Sequence, residues 1–358
     1  MRKKIATIVG ARPQFIKCAP VSELLRKQFR EVLIHTGQHY NPEMSHIFFQ
    51  QLQIPEPDYN LEVGSHPHGR QTGFMLMRIE AVLLQEKPAL VLVYGDTNST
   101  LAGALAAAKL NVPVAHVEAG LRSFNRKMPE EINRIVADRL ASLLFCPTRT
   151  AVKNLKAEGQ LQGVYWTGDV MYDALLRHLP LAEQHSRILD RLGLSPKAYY
   201  LATVHRAENT DQPERLNEIL KAFARLPLPV VFPVHPRTRR FIQTHFGERN
   251  WPNIRFIDPV SYLDVLVLQK NAAKVLTDSG GMQKEAYFLE VPCVTLREET
   301  EWPETVAAGA NVLTGASAEK ILAAATREVR VRCQGTDFGD GQAAARIVAL
   351  IDKMLEKE

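Results

Sequence analysis

The chain has 358 residues, of which 46% are hydrophobic and 23% are charged, proportions that are ordinary for a soluble globular protein. At roughly 100–200 residues per domain, this length favours two domains and excludes a disordered chain, a collagen and a small disulfide scaffold. The 44 Lys and Arg residues against 39 Asp and Glu residues give a net charge of +5. These charges are spread along the chain, whereas nucleic-acid binding favours a basic stripe, so we expect no nucleic-acid partner.

The cysteines and the chain start predict the compartment. Four cysteines lie far apart without a CxxC pair, a pattern typical of buried thiols in a reducing cytosol. The basic first residues and the short apolar run after them look like a signal peptide only superficially, because Arg12-Pro13 ends the run without a cleavage site. Since no run approaches the roughly 18–20 apolar residues that span a bilayer, we expect a cytoplasmic protein without a membrane partner.

Short apolar strands alternate with longer amphipathic stretches along the whole chain. In the first half, strands are predicted at residues 5–9, 32–36, 90–94, 112–117, 142–146 and 164–167, with helices at 15–28, 69–85 and 101–110. In the second half, strands are predicted at 200–204, 230–234, 254–257, 274–277, 291–295 and 311–313, with helices at 214–225, 262–270 and 281–289. This alternation predicts parallel sheets covered by helices on both faces.

Two runs of about six strands predict an α/β chain with two doubly wound domains. Strand signals stop between residues 167 and 199, where the domain boundary is expected, and residues 341–358 form a last amphipathic helix. Open parallel sheets bind ligands beyond the carboxyl ends of their strands. Polar residues directly after the strands are therefore the candidates for chemistry.

Two glycine-containing loops follow strands and favour an anionic ligand. In the first, Arg12 and Lys17 flank a helix start, although an ordinary turn with solvated charges gives the same pattern. In the second, Ser279 precedes two glycines and can cap a helix, while Glu285 can accept hydrogen bonds from ribose hydroxyls. The alternative there is a plain cap with a surface Glu. Neither GxGxxG nor a P-loop lysine is present, so the NAD and Walker signatures are not met.

Carboxylates and histidines complete the candidates. Asp96 and Glu118 follow strands, and Glu130 begins a helix that also carries Arg134. Asp96 has an alternative role as a helix cap, and Glu130 with Arg134 has one as a surface pair worth about 0.3–0.5 kcal/mol. The histidines after strands form no HExxH pattern, which disfavours zinc.

Nine motifs in order carry a family resemblance. They are GARPQFIK (10–17), HTGQHY (35–40), GDTNST (95–100), HVEAGLR (116–122), PEEINR (129–134), HRAEN (205–209), HPRT (235–238), LTDSGGMQKEA (276–286) and GDGQAA (339–344). With them the chain resembles the non-hydrolysing UDP-N-acetylglucosamine 2-epimerases over nearly its whole length. The resemblance implies the GT-B type: two Rossmann-like doubly wound domains facing each other across a cleft. Residues 1–168, completed by helix 341–358, would form the first domain, and residues 169–340 the UDP-binding domain.

The resemblance also implies a reaction. The family inverts C2 of a UDP-N-acetylhexosamine by eliminating UDP to a 2-acetamido glycal and adding it back. Proton transfer to carbon requires carboxylates on both faces of the sugar and a clamp for UDP. No redox cofactor and no metal is needed, and a homodimer that takes a UDP-sugar substrate is expected.

Site residues transfer by motif position. The resemblance implies acid–base roles for Asp96, Glu118 and Glu130, without deciding which is base and which is acid, and catalytic positions for Arg134 and His205. Residues implied to contact UDP are Arg12, Lys17, His235, Val260, Ser279, Gly280, Gly281 and Glu285. In bacterial members, the positions matching Gln38, His39 and Arg70 lie near an activating second nucleotide-sugar site.

Two departures from the common pattern concern the sugar. Gln14 stands where the family usually has Glu, and Trp302 stands where it usually has Arg. In these features the chain looks especially like enzymes that act on UDP-2,3-diacetamido-2,3-dideoxy-glucuronate. The carboxylate of that sugar would want a nearby cation, for which Arg122, Arg126 and Lys127 are candidates. A GT-B glycosyltransferase is the nearest competing class, but it would not need carboxylates on both faces of C2.

Overall fold

The computed structural model describes residues 2–38, 49, 52–234, 236–247, 251–333 and 337–356. The chain divides into two compact units, one formed by Met1–Arg177 with Gly335–Glu358 and the other by His178–Gln334. Each unit has its own parallel sheet with helices around it, so the predicted α/β class with two doubly wound sheets is confirmed. Among the residues just given, no helix combines the length and the apolarity that a membrane crossing requires.

In the first unit, hereafter unit 1, the described residues form a sheet of seven strands and a set of helices. The strands are β1 (Lys4–Val9), β2 (Arg30–His35), β3 (Tyr59–Asn60), β4 (Leu90–Tyr94), β5 (Val114–Val117), β6 (Leu143–Cys146) and β7 (Val164–Trp166). The helices are α1 (Arg12–Gln28), α2 (His68–Glu86), α3 (Asn98–Lys109), α4 (Pro129–Leu140), α5 (Arg149–Ala157) and α6 (Val170–His185), the last of which continues into the second unit. The terminal helix α15 (Ala343–Leu355) also belongs here.

The sheet of unit 1 has the order β3-β2-β1-β4-β5-β6-β7, with all neighbours parallel. Ile8 lies between Ile34 and Val93, and this apolar row is buried on both sides as a doubly covered sheet requires. One face packs against α2 and α3 through side chains such as Met75 and Ala102. Strand β3 has only two residues at the sheet edge and was not predicted, because its sequence has no apolar run.

The terminal helix closes unit 1 by packing on α1. Its apolar stripe is buried at spacings of three and four residues, from Ala344 through Ile347 and Ile351 to Leu355. The carboxylate of Asp173 caps its start by accepting hydrogen bonds from Ala343 N at 3.1 Å and Ala344 N at 2.8 Å. An acidic group at a helix start is favourable because the first amide groups have no partner within the helix.

In the second unit, hereafter unit 2, the residues that the structure describes form a sheet of six strands. These are β8 (Tyr200–Thr203), β9 (Val230–Pro233), β10 (Ile254–Ile257), β11 (Lys274–Thr277), β12 (Cys293–Thr295) and β13 (Asn311–Leu313). Its helices are α7 (Ile188–Leu192), α8 (Ala207–Thr210), α9 (Pro213–Ala224), α10 (Pro236–Phe246), α11 (Tyr262–Asn271), α12 (Gly280–Phe288), α13 (Pro303–Ala307) and α14 (Ala318–Thr326). The sheet order is β10-β9-β8-β11-β12-β13, again with all neighbours parallel.

The strand order of each sheet changes direction at one point, which is where parallel sheets of this kind ordinarily bind ligands. In unit 1 the order changes sense between β1 and β4, and in unit 2 it does so between β8 and β11. Successive connections leave such a point on opposite faces of the sheet, so a crevice opens at the carboxyl ends of the two strands. The loops that begin at Gly10 and Gly95 border this point in unit 1, and those that begin at Val204 and Asp278 border it in unit 2.

Candidate active site

The first site element of unit 1 is a buried ion pair between α1 and the end of β5. The Lys17 ammonium contacts Glu118 Oε2, and both side chains are buried. Glu118 has a φ of 73°, a left-handed conformation that is strained for a side chain other than glycine. A β-carbon on Gly95 would lie 3.1 Å from both charged atoms, so the pair occupies the space that this glycine leaves open. Such strain and charge burial cost stability and are typical of functional positions.

The second element joins Asp96 to α4. Arg134 NH2 lies 2.5 Å from Asp96 Oδ2, and its NH1 lies 2.8 Å from Glu131 Oε2. The Asp96 side chain remains 30% exposed, whereas those of Arg134 and Glu131 are almost fully buried. Asp96 is not the cap of α3, because Thr97 occupies that position and accepts from Thr100 N. The buried arginine therefore holds a carboxylate that still reaches solvent.

Helix α4 turns charged residues inward. Glu131, Arg134 and Asp138 are buried at spacings of three and four residues, while Ile132 is 48% exposed. Glu131 accepts hydrogen bonds from Ser123 N at 3.0 Å and Phe124 N at 2.9 Å, which fixes the loop before the helix. Glu130 is half-buried in the first turn. Arg134 thus pairs with Glu131 and Asp96, which its helical spacing from Glu130 did not indicate.

Gln14 ties the first loop to the neighbouring strand. Its Oε1 accepts from Gly10 N at 2.8 Å and Ala11 N at 3.1 Å, and its Nε2 donates to Tyr94 O at 2.9 Å. An ionised Glu could accept the first two hydrogen bonds but could not donate the third, so this departure from the family pattern has a physical effect. Arg12 begins α1 beside it, and burial lowers the pKa of its guanidinium.

A buried network lies behind these loops. His116 Nδ1 lies 2.7 Å from Asp138 Oδ1, and Asp138 Oδ2 accepts from Arg122 NH1 at 2.7 Å. Burial opposes ionisation of Asp138, but hydrogen bonds from His116 and Arg122 outweigh it and lower its pKa. Arg122 is also bonded by both carboxylate oxygens of Glu158, at 2.7 and 2.6 Å. Its guanidinium is therefore occupied by the protein's own carboxylates, contrary to the expectation that it is available to a substrate carboxylate.

In unit 2, the buried carboxylate of Asp278 organises the loop after β8. It accepts hydrogen bonds from His205 N at 3.0 Å, Arg206 N at 3.0 Å and Asn209 Nδ2 at 3.2 Å. Asp278 is fully buried, and burial alone would favour its neutral form, but His205 and these donors lower its pKa. His205 Nδ1 lies 3.1 Å from the same carboxylate, while the His205 side chain is 52% exposed. One buried charge thus presents an accessible imidazole.

The start of α12 forms the glycine element of unit 2. Ser279 caps the helix by accepting from Met282 N, and Gly280 and Gly281 follow it at half-buried positions. A helix start with small residues exposes amide groups to an anion. One turn further on, Glu285 Oε1 accepts from Tyr262 OH at 2.9 Å, and both side chains are buried. Burial and then the charge of Glu285 raise the Tyr262 pKa, so this phenol remains a donor.

Trp302, which stands where the family usually has Arg, packs beside the start of α12. A β-carbon on Gly280 would lie 3.4 Å from Trp302 Nε1, an ordinary contact distance, so the indole borders the first residue of α12. Lys284 Nζ lies 4.1 Å from the centre of the Trp302 ring, a cation–π contact between two buried side chains. Nearby, the fully buried Arg297 forms a bidentate pair with Glu301, at 3.0 and 3.1 Å.

The remaining predicted residues lie apart from these pairs or outside the described chain. Gln38 accepts from Ser99 N at 3.2 Å, and exposed Arg70 stacks over Phe74 with 5.2 Å between guanidinium and ring centre. Val260 is half-buried just before α11. His39 and His235 lie outside the described residues. Within the described ranges, no three His, Cys, Asp or Glu side chains are arranged to hold a metal.

Sequence reasoning did not single out Glu131, Asp138 or Asp278. A signal was present for the first two, because acidic and basic residues at positions 131, 134 and 138 form one helix face. Such a charged face is ordinarily assigned to solvent. Asp278 precedes the cap Ser279, and nothing in its spacing distinguishes a buried anchor from a turn residue.

Comparisons with known proteins agree over nearly the whole chain. The family model for UDP-N-acetylglucosamine 2-epimerase matches residues 23–352. A UDP-N-acetylglucosamine 2-epimerase homolog of Methanococcus maripaludis is 56% identical over 97% of this chain and 99% of its own length. The UDP-2,3-diacetamido-2,3-dideoxy-D-glucuronate 2-epimerase of Pseudomonas aeruginosa is 50% identical over 98% and 100%. The crystal structure of Methanocaldococcus jannaschii UDP-GlcNAc 2-epimerase with UDP-GlcNAc and UDP superposes with a TM-score of 0.91 at 43% identity, covering 98% and 99%.

Proposed function

The chain belongs to the UDP-N-acetylglucosamine 2-epimerase family, and from that premise we propose that it inverts C2 of UDP-N-acetylglucosamine without hydrolysing it. The observation that carries the proposal is the pairing of two strand-end carboxylates with buried cations in one unit. Glu118 is held by Lys17, and Asp96 is held by Arg134. Each carboxylate is fixed in place by a cation, as directed proton transfer requires.

The proposed reaction is an elimination followed by an addition. No carbonyl lies beside C2 in the ring, so its proton is removed as the bond between C1 and the UDP oxygen breaks. The electron pair of the C2–H bond forms the double bond of a 2-acetamido glycal. UDP then adds back to C1 while C2 receives a proton on the opposite face. Asp96, Glu118 and Glu130 are the proposed acid–base groups, with Arg134 and His205 balancing the charge of the departing diphosphate.

Residues of unit 2 are proposed to hold UDP. The amide groups of Gly280 and Gly281 at the start of α12 suit a diphosphate, and the Ser279 hydroxyl is an additional donor. Glu285 would accept from the ribose hydroxyls. The other residues proposed to contact UDP are Arg12, Lys17, His235 and Val260, and those proposed for an activating nucleotide-sugar site are Gln38, His39 and Arg70.

Deuterium exchange tests the reaction directly. Purified protein is incubated with UDP-N-acetylglucosamine in D2O, and the products are followed by NMR. We expect deuterium at C2 and a UDP-linked C2 epimer. Free N-acetylmannosamine with UDP would instead indicate a hydrolysing enzyme. No C2 deuterium with any UDP-sugar, together with transfer to an added acceptor, would support a glycosyltransferase and refute the proposal.

A second candidate substrate is UDP-2,3-diacetamido-2,3-dideoxy-glucuronate, favoured by the Pseudomonas relative and by Gln14 and Trp302. Its carboxylate needs a cation, and Arg126 and Lys127 are exposed on the loop that Glu131 holds. Neither side chain forms an ion pair with a residue in the described part of the chain. Lys127 also lines a cavity with Asn133, whose Nδ2 donates to Asp96 O at 2.9 Å.

Side-by-side kinetics decide between the two sugars. If the uronate is the substrate, its kcat/KM exceeds that of UDP-N-acetylglucosamine, and Lys127→Gln with Arg126→Gln raises the KM for the uronate alone. If the ratio of the KM for the uronate to the KM for UDP-N-acetylglucosamine is the same in the double variant as in the unmodified protein, these cations do not recognise the sugar. Exposed Lys153→Gln on α5 serves as the charge control.

We also propose a homodimer that uses α2. Gly69, Gly73, Met77 and Leu84 lie on one side of this helix, and Met77 and Leu84 are 57% and 56% exposed. A β-carbon at either glycine would meet nothing within 4 Å, so the surface there is open to a second helix. Light scattering should give twice the chain mass, and Met77→Lys with Leu84→Glu should give one chain mass. A monomeric unmodified protein would refute this proposal.

A further inference from the structure

His116 connects two strand ends that carry candidate carboxylates. It is fully buried on β5, two residues before Glu118. Its Nε2 donates to the carbonyl of Gly95 at 2.7 Å, and Gly95 directly precedes Asp96. Its Nδ1 faces Asp138 Oδ1, also at 2.7 Å. Both ring nitrogens therefore have partners within the protein. Through the Gly95 carbonyl, the ring contacts the loop that follows β4.

Asp138 completes the connection on the other side. Its Oδ2 accepts from Gly120 N at 3.1 Å, and Gly120 lies two residues after Glu118. Glu118 and Gly120 both have positive φ, at 73° and 80°. A turn in this conformation needs outside contacts to hold it, since left-handed backbone is unfavourable for Glu. Arg122 donates to the carboxylates of both Asp138 and Glu158, so it fixes the position of the Asp138 side chain.

We propose that His116 and Asp138 are positioning residues that hold Asp96 and Glu118 in register with each other. The inference rests on the proposed function and deepens it, because it assigns to buried groups the geometry of the proton transfers. Burying an imidazole and a carboxylate together is a weak source of stability, since well-packed apolar residues often do as well. What apolar residues cannot supply is a donor to Gly95 O and an acceptor for Gly120 N. An error of about 1 Å at a reacting group can cost about 100-fold in rate.

Two substitutions of His116 separate positioning from packing. In His116→Gln, the longer amide can still donate toward Gly95 O, as Nε2 does. In His116→Asn, the shorter amide can still donate toward Asp138, which Nδ1 faces, but it does not reach Gly95. We expect kcat to fall about 100-fold in the Asn variant and less than about 10-fold in the Gln variant. KM and calorimetric UDP affinity should stay within about threefold in both.

The control removes buried volume next to His116 without touching the network. Leu144 lies opposite His116 on β6 and is buried, so Leu144→Val should lower the melting temperature while kcat is retained. If the two His116 variants lose kcat equally, or lose only stability as the control does, the positioning role is refuted. Asp138→Asn is the second variant: its Nδ2 can donate to Nδ1 of a neutral ring, so the Gly95 contact persists and a kcat loss below about 10-fold is expected.

A crystallographic comparison works even without turnover. The Gly95 carbonyl should move in His116→Asn and keep its place in His116→Gln. An unmoved turn at residues 94–97 in the Asn variant would overturn the inference. Absence of C2 exchange by the unmodified protein would refute the proposed function instead, and the comparison of the two variants would still decide what His116 holds.

Discussion

The two strand-end regions differ in what they are made of. In unit 1 the carboxyl ends of β1, β4 and β5 carry charged side chains in pairs, such as Lys17 with Glu118 and Arg134 with Asp96. In unit 2 the ends of β8 and β11 carry mainly backbone: a capped helix start with two glycines, and amide groups gathered by the buried Asp278. The same sheet order therefore supports two kinds of site.

The difference matches the two tasks in the proposed reaction. Proton transfer to carbon needs side chains that change protonation, and these must be held by partners that do not move. Holding a diphosphate needs fixed donors, which backbone amides supply without losing side-chain entropy. We therefore expect substitutions of the strand-end carboxylates in unit 1 to lower turnover and substitutions at the start of α12 in unit 2 to lower UDP affinity.

The largest effect is expected for Glu118→Gln and Asp96→Asn. Each removes a proposed proton-transfer group while keeping its shape, and kcat should fall about 100- to 10,000-fold. Calorimetric UDP affinity should change little, because neither carboxylate is among the residues proposed to contact UDP. The exposed Glu80→Gln on α2 controls for loss of charge. Near-normal C2 exchange in either variant would remove that residue from the acid–base set.

The strands of both sheets and the loops that follow them were largely predictable from the sequence. The apolar runs located β1, β4 and the strands of unit 2 to within about two residues, since a doubly covered parallel sheet needs buried strands. The loops after these strands could be chosen as candidate sites, because the position of a ligand in such a sheet depends on its topology. Ser279 was expected as a helix cap, and the structure confirms that it is one.

What was not predictable depends on distant contacts. Arg134 was compared with Glu130 because spacing along a helix is local information, whereas its contact with Asp96, on another element, is not visible in that spacing. Arg122 was a candidate partner for a substrate carboxylate, since nothing in the sequence brings Glu158 next to it. The two-residue strand β3 has no pattern of its own and pairs only because β2 offers it an edge.

A smaller effect is expected for Ser279→Ala and Glu285→Gln. Removing the cap takes away a hydroxyl donor and costs helix stability by about 1 kcal/mol, and the amide at 285 is a weaker acceptor for ribose. UDP affinity should fall about 5- to 30-fold, while kcat at saturating substrate stays within about threefold. Exposed Lys320→Ala on α14 serves as a control. A large kcat loss with unchanged UDP affinity would reverse the assignment of tasks to the two units.

The smallest effect concerns how the free energy of unfolding changes at acid pH. It tests a feature that both units share, a buried carboxylate with a lowered pKa. The pKa of Asp278 is lowered in the folded state, below an unfolded value of about 3.9. A carboxylate whose pKa is lowered by folding stabilises the protein at pH values above its pKa in the unfolded chain. This contribution is lost as the pH falls through its pKa in the folded protein. Asp278→Asn should therefore lower the free energy of unfolding near neutral pH and flatten its decline below about pH 4, measured by urea denaturation.

Asp138 supplies the matching case in unit 1, because its pKa is lowered by His116 and Arg122. Asp138→Asn should flatten the same acid limb, whereas exposed Asp211→Asn should leave it unchanged. The two variants should differ in function, since Asp278 orders the loop of His205 and Asp138 orders that of Glu118. If Asp278→Asn leaves the acid limb as steep as in the unmodified protein, its carboxylate is not the anchor that the loop geometry requires.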